Sequence, residues 1–411
     1  MSFATNLKDT PEPVASATGM TRQEVRASSA LASVFALRML GLFMLSPVFA
    51  LYARGLEGGD NAVMVGLALG MFSLVQAFFQ IPFGMASDRF GRKPVILTGL
   101  ALFVAGALIC AFAHSLVWIM IGRGIQGLGA ISAAITALVA DSTREQHRTK
   151  AMAMIGGSIG LTFALAMVLS PVMYQSMGMA AMFVLIAVLG AGAMALVKWV
   201  VPDVEAVKSE RVPFRTVLML PELMRLNAGV FVLHFAQMAM FVVLPAALVH
   251  VADIPVASHW KIYLPVMLVS FVAMLPAIFV GEKYGKMKPV FLGAIALLLV
   301  SQIGFWLGMQ HALLLITFLF VFFIAFNTLE ASQPSLVSRL APPAAKGAAL
   351  GVYNTMQALG IAAGAASGGL LTQYVSAQAV FALCAGLTLI WLIIAASMPE
   401  IARRSKPAAQ A

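Results

Sequence analysis

The chain alternates between long apolar stretches and short polar ones. Six apolar runs, near residues 29–53, 61–85, 94–112, 116–140, 151–174 and 178–201, precede a polar gap, and six more follow it, near 227–251, 260–280, 289–307, 311–336, 347–374 and 377–398. Each is long enough to cross an apolar layer of about 30 Å as a helix, the form in which a single segment satisfies its own backbone polar groups inside lipid. The breaks fall at charges, Pro and Gly. The pattern predicts an all-α membrane protein of twelve transmembrane helices in two pseudo-symmetric six-helix bundles, residues 29–201 and 227–398. A tail (1–28), a linker (202–226) and a second tail (399–411) complete the expected layout, the linker being too short to form a domain.

Composition agrees: 61% of the 411 residues are hydrophobic and 10% charged, against about a quarter charged in soluble domains. The start of the chain shows no short apolar core with a small-residue cleavage site, so it reads as a retained tail rather than a signal peptide. Of the 26 Lys and Arg, 22 fall on one side if the N-terminus is inside; Arg54 and Lys261 fall on the other, and Arg38 and Arg123 lie within spans. That asymmetry predicts both termini on the cytoplasmic side of an inner (plasma) membrane. The net charge of +10 then reflects contact with anionic lipid headgroups and calls for no nucleic acid.

Cys110 and Cys384 sit inside apolar runs and, His114 four residues after Cys110 apart, no Cys or His stands at metal-ligand spacing from either, so neither a disulfide nor a metal site is expected. The sequence carries no P-loop and no His-Glu-x-x-His. We therefore expect no cofactor, no catalytic residue and no enzyme. The expected partners are a small-molecule substrate, protons and the lipid bilayer, with the chain acting as a monomer.

Four charged or histidine side chains fall well inside spans: Arg38 in the first, Arg123 in the fourth, His234 in the seventh and Glu330 in the tenth. Charge is costly in lipid, so such residues are expected to line a water-accessible cavity. Burial penalises the charged form of Glu330; a carboxyl there can gain and lose a proton as a cavity alternates between sides, with His234 as partner or alternative carrier. The structural alternatives are a hydrogen bond from Glu330 to Asn327, Gln333 or backbone, and a packing role for His234. Arg123 does not usefully deprotonate; it can hold an anion, tune a nearby proton site or fix helix packing, and Arg38 has the same options. Gln126, Asn327 and Gln357 are candidate cavity residues that can equally bridge helices.

Between the second and third spans stands Gly84-Met85-Ala86-Ser87-Asp88-Arg89-Phe90-Gly91-Arg92-Lys93-Pro94, and between the eighth and ninth Glu282-Lys283-Tyr284-Gly285-Lys286-Met287-Lys288-Pro289. Acid, base, aromatic and Gly recur in order, then bases and a Pro, as in transporters assembled from repeats. The first of these segments resembles the signature loop of the Major Facilitator Superfamily. Arg123-Gly124-Ile125-Gln126-Gly127-Leu128-Gly129-Ala130 resembles the second signature of its drug/proton antiporter branch, and the segments 142–152, 162–169 and 326–331 are similar to the YajR-type group of that branch. Two departures stand out: that group carries a C-terminal soluble domain not seen here, and Ser170-Pro171 replaces the Gly-Pro pair that ends the fifth span in the branch.

The resemblance implies that the four helices bearing Arg38, Arg123, His234 and Glu330 line a central cavity, and that Arg123 tunes a proton site. It also implies a gate built from Gly84, Asp88, Arg89, Gly91, Arg92 and Asp141. Asp88 would cap the N-terminus of the eleventh span when the cavity faces outward, Arg92 and Asp141 completing the charge cluster. For Arg89 a topogenic role as a basic loop residue is the alternative. The expected function is proton-coupled efflux of small hydrophobic or amphipathic compounds by alternating access. One alternative is transport of an organic anion held by Arg38 and Arg123, another a non-transporting membrane scaffold.

Overall fold

The computed structural model describes residues 19–203, 217, 219–342 and 345–399. Most of both tails and of the linker, and the side chain of Glu282 in the second loop repeat, lie outside the described residues. The described chain is helical, with no β-strand and a single isolated bridge between Glu57 and Ser115. The first half contains α1 (Arg22–Phe43), α2 (Phe49–Ala53), α3 (Ala62–Phe90), α4 (Arg92–Ala111), α5 (Leu116–Leu128), α6 (Ser132–Asp141) and α7 (Glu145–Trp199). The second contains α8 (Pro221–His250), α9 (Trp260–Tyr284), α10 (Met287–Gly308), α11 (Ala312–Leu340), α12 (Lys346–Tyr374) and α13 (Ala377–Ala396).

These helices make twelve crossings. The long α7 crosses twice because it turns at Gly178, whose φ of 75° lies in the left-handed region open to glycine. The first crossing is shared between α1 and α2. Pro47, which has no N–H to donate, stands in the irregular turn between them, and the Ser170 hydroxyl donates to the Met44 carbonyl released there. The fourth crossing, expected to be one continuous helix over 116–140, is broken between α5 and α6 at residues 129–131. The break is a close-packing device: a Cβ at Gly129 would stand 2.2 Å from the Gly99 carbonyl oxygen, and a Cβ at Gly99 would stand 2.2 Å from Ile131 Cγ2.

The two halves meet mainly through α3 against α12 and α7 against α9. One end of the molecule, the basic face, carries the loops with Arg92, Lys93 and Arg144; the other is the far face. Towards the far face α3 and α12 are in backbone contact. A Cβ at Gly66 would lie 2.2 Å from the Ala365 carbonyl oxygen, and one at Gly369 would lie 2.3 Å from that of Ala62. Towards the basic face the halves diverge. Gly156, Gly157 and Gly160 of α7 and Gly347 of α12 have nothing within 4 Å of where a Cβ would stand. Gly360 and Gly364 of α12 are close-packed, against the backbone of Phe231 and Phe235 on α8. The molecule is thus sealed at the far face and open at the basic face.

Candidate functional site

In the second half, α8, α11 and α12 bring His234, Glu330 and Gln357 together. His234 is almost fully buried, with Nδ1 3.1 Å from the Val230 carbonyl oxygen, one turn back on its own helix. That carbonyl can only accept, so Nδ1 carries a hydrogen and, in the neutral ring, Nε2 presents its lone pair. The Gln357 amide nitrogen stands 2.7 Å from Nε2 and donates to it. Glu330 Oε2 lies 3.5 Å from the same Nε2, and this buried oxygen has no hydrogen-bond partner. One proton distinguishes two arrangements. With neutral histidine Gln357 holds Nε2; with imidazolium, Nε2–H can donate to Glu330 while the Gln357 amide turns its oxygen in or withdraws.

The pair sits on the seam between the halves. Phe326, one turn before Glu330 on α11, packs edge-on against the His234 ring at 5.7 Å. It also contacts Phe163 of α7, in the first half, at 5.9 Å, as Phe323 does at 6.0 Å. Phe322 stacks on Phe326 and Phe43 meets Phe163 edge-on. This aromatic plug lies on the far-face side of Glu330, whose side chain retains 33% exposure. Asn327 points elsewhere: its amide donates to the Ser270 hydroxyl of α9 at 2.8 Å, so it bridges helices.

The buried arginines of the first half are placed differently. Arg38 is wholly enclosed and reaches the break in the fourth crossing, donating to the Gly129 carbonyl at 3.1 Å and the Ser132 hydroxyl at 3.2 Å. In this conformation it serves as a cap on a carbonyl that the break has released, rather than as a cavity-lining cation. Arg123 donates to Gln126 Oε1 at 3.2 Å. The two guanidinium groups flank one ring, 5.6 and 5.1 Å from the centroid of Phe72, a favourable placement over an aromatic face. Among the described residues no acidic group pairs with either arginine, and no hydrogen bond or ion pair joins Arg123 to His234 or Glu330.

The signature-loop residues form a third cluster on the basic face. Arg92 pairs with Asp88, donates to Ser87 Oγ at 2.8 Å and reaches Asp141 of α6 at 3.0 Å. Gly91, at φ 94°, permits the turn from α3 into α4, while Arg89 packs over Phe90. Gly84 faces Ala133 of α6 at ordinary contact distance. Asp88 makes no described hydrogen bond to α12; its side chain is 37% exposed. Just beyond Asp141, Arg144 binds Glu24 of α1 through its backbone N–H, Nε and Nη2, each at 2.9 Å. The sequence marks the local part of this arrangement, since Thr21 and Glu24 form a capping box.

The Major Facilitator Superfamily model matches residues 31–365 and 268–410 of the chain. The inner membrane transport protein YajR of Escherichia coli (strain K12) is 45% identical over 387 residues, covering 93% of this chain and 85% of that protein. The multidrug resistance protein MdtH of Proteus mirabilis (strain HI4320) is 28% identical over 351 residues, covering 80% and 83%. The crystal structure of the human organic anion transporter MFSD10 (TETRAN) matches with a TM-score of 0.70 at 19% identity, over 91% of this chain and 100% of that one, a likeness of fold.

Proposed function

The chain belongs to the Major Facilitator Superfamily and is a multi-pass membrane transporter, not an enzyme; from that premise we propose that it exports small hydrophobic or amphipathic compounds in exchange for protons, by alternating access. The basic face is cytoplasmic in this reading, the membrane is a bacterial inner membrane, and the state seen is inward-open. The observation that carries the proposal is the Glu330–His234 pair. It is an ionisable couple with an unpartnered oxygen, partly exposed through Glu330 and packed on the plug that joins the halves.

Protonation of Glu330 or His234 changes which of Gln357 and Glu330 bonds to Nε2, and so changes what holds α8, α11 and α12 together against Phe326. A proton entering from outside is released to the cytoplasm as the cavity turns, and substrate leaves on the opposite stroke. A relative named for multidrug resistance supports export. Arg123, Gln126 and the enclosed Arg38 organise the first half in this reading. The signature cluster of Asp88, Arg92 and Asp141 closes the cytoplasmic gate in the complementary state.

A second reading has one observation in its favour. Arg123 meets a single neutral oxygen, that of Gln126, and a guanidinium so placed can receive an organic anion. The test separates the two. In proteoliposomes with an imposed proton gradient, Glu330→Gln is expected to keep ligand binding and lose gradient-driven transport by at least about tenfold. Undiminished gradient-driven transport in that variant removes Glu330 from coupling. Carboxylate-induced thermal stabilisation that disappears in Arg123→Ala moves the assignment to anions.

A further inference from the structure

We propose that Gln373, near the end of α12, is a positioning residue of the transport cycle that latches the far face shut by capping the first N–H of α3.

The Gln373 Oε1 accepts from the Ala62 backbone N–H at 2.8 Å, across 311 residues of sequence and from one half of the molecule to the other. The cap is specific to that N–H. Asn61, the residue before the helix, already satisfies Val63 N at 2.9 Å and Met64 N at 3.3 Å, leaving Ala62 as the donor served from the opposite half. Directly below, the two helices are in backbone contact at Gly66, Gly70 and Gly369. The hydrogen bond therefore sits at the mouth of the seam that separates the cavity from the far side.

The opposite ends of the same two helices carry the complementary arrangement in an unmade state. Asp88, near the end of α3, makes no described bond to α12 and is paired with Arg92 of its own half, while Gly347 at the start of α12 has no close neighbour. α3 and α12 run antiparallel, so each presents a side chain near its C-terminal end to the N-terminus of the other. When the pair rocks, one end closes as the other opens. The two caps differ in strength: a carboxylate interacts with a helix N-terminus as a charge, whereas Gln373 offers a neutral, water-exposed amide worth little net free energy. A gate that opens in every cycle requires a latch of this weaker kind.

The experiment measures distances between spin labels, without substrate or gradient, so it rests only on alternating access and not on the identity of cargo or coupling ion. Labels at Arg54 and His311, both exposed at the far face, report that gate; labels at Phe90 and Gly347 report the basic face. Cys110 and Cys384 are fully buried and can remain. Gln373→Ala is expected to raise the long-distance Arg54–His311 population about threefold, with a matching gain in the short Phe90–Gly347 population. Gln373→Glu keeps the acceptor and adds charge, so it is expected to lower the long-distance population below that of the native protein.

Gly369→Ala places a Cβ against the Ala62 carbonyl and is expected to open the far face more than either. If Gly369→Ala opens it while Gln373→Ala leaves both distributions unchanged, the seam alone holds the gate and the assignment of Gln373 fails. If Gln373→Glu shifts the populations in the same direction as Gln373→Ala, the capping argument fails. Absence of a long Arg54–His311 population in every variant overturns alternating access itself, a separate failure.

Discussion

The two halves place ionisable side chains on corresponding helices and put them to opposite uses. In the first half Arg38 and Arg123 are enclosed, permanently charged and tied to neutral oxygens or to the Phe72 ring. In the second, His234 and Glu330 face each other, and one buried carboxylate oxygen has no hydrogen-bond partner. A guanidinium that does not deprotonate carries no proton of its own; an imidazole nitrogen that faces both Gln357 and Glu330 has two possible bonding arrangements. In the proposed reading the first half serves as a frame and the second carries the proton site.

The largest expected effect tests the frame. Arg38→Met keeps most of the side-chain volume but leaves the Gly129 carbonyl and the Ser132 hydroxyl without their donor inside the membrane. Loss of two charge-assisted hydrogen bonds and an orphaned carbonyl are expected to cost about 3 kcal/mol. Thermal unfolding in detergent measures this, with Glu330→Gln as the comparison, expected within about 1 kcal/mol of native because Glu330 is partly exposed and one of its oxygens has no partner to lose. If Arg38→Met is as stable as native yet fails to transport, the arginine belongs to the working site and the contrast between halves disappears.

The next effect concerns the plug where the halves touch. Phe326→Leu retains an apolar side chain but removes the ring contacts with Phe163, Phe322 and His234. Aromatic pairs contribute about 0.5–1.5 kcal/mol beyond their area. The expected result is a two- to fivefold rise in proton leak through proteoliposomes without substrate, read with an internal pH dye. Phe72→Leu, between the two arginines, is expected to lower thermal stability without raising the leak. Equal leaks from both variants would spread the barrier over the whole interior.

Much of this division was legible in the sequence, and what was not has a physical cause. Run length and the basic loops gave the crossings, because a helix in lipid must be long and apolar along its whole length. Scarcity of charge singled out Arg38, Arg123, His234 and Glu330, since any such residue needs a reason to be there. The use made of each was harder to read. Arg38 looked like a cavity cation because the break at residues 129–131 lies inside an uninterrupted apolar run, and only the fold puts Gly129 beside it. For Asn327 the sequence leaves cavity lining and helix bridging both open, because its partner Ser270 is 57 residues away. Gln373 carried no signal, since a glutamine near the end of a helix is ordinary until Ala62 is placed opposite it.

The smallest expected effect is the most discriminating about the frame. Glu24 anchors the start of α1 to Arg144, three residues beyond Asp141, so the first helix and the signature cluster share one short segment of chain. Glu24→Gln keeps the side chain's shape, removes the charge and leaves one oxygen to serve either the Thr21 or the Arg144 backbone N–H, which now bond to different oxygens. Arg144 is 41% exposed, so solvent screens the charge pair and the expected loss of thermal stability is the smallest of the set. Transport is expected to stay within twofold of native, because a small loss of rigidity in a frame leaves the proton site intact. A loss as severe as that of Glu330→Gln would mean that the position of α1 is adjusted during the cycle and not merely held. The first half would then move with the second, and its buried arginines would have to be reread as parts of a mechanism.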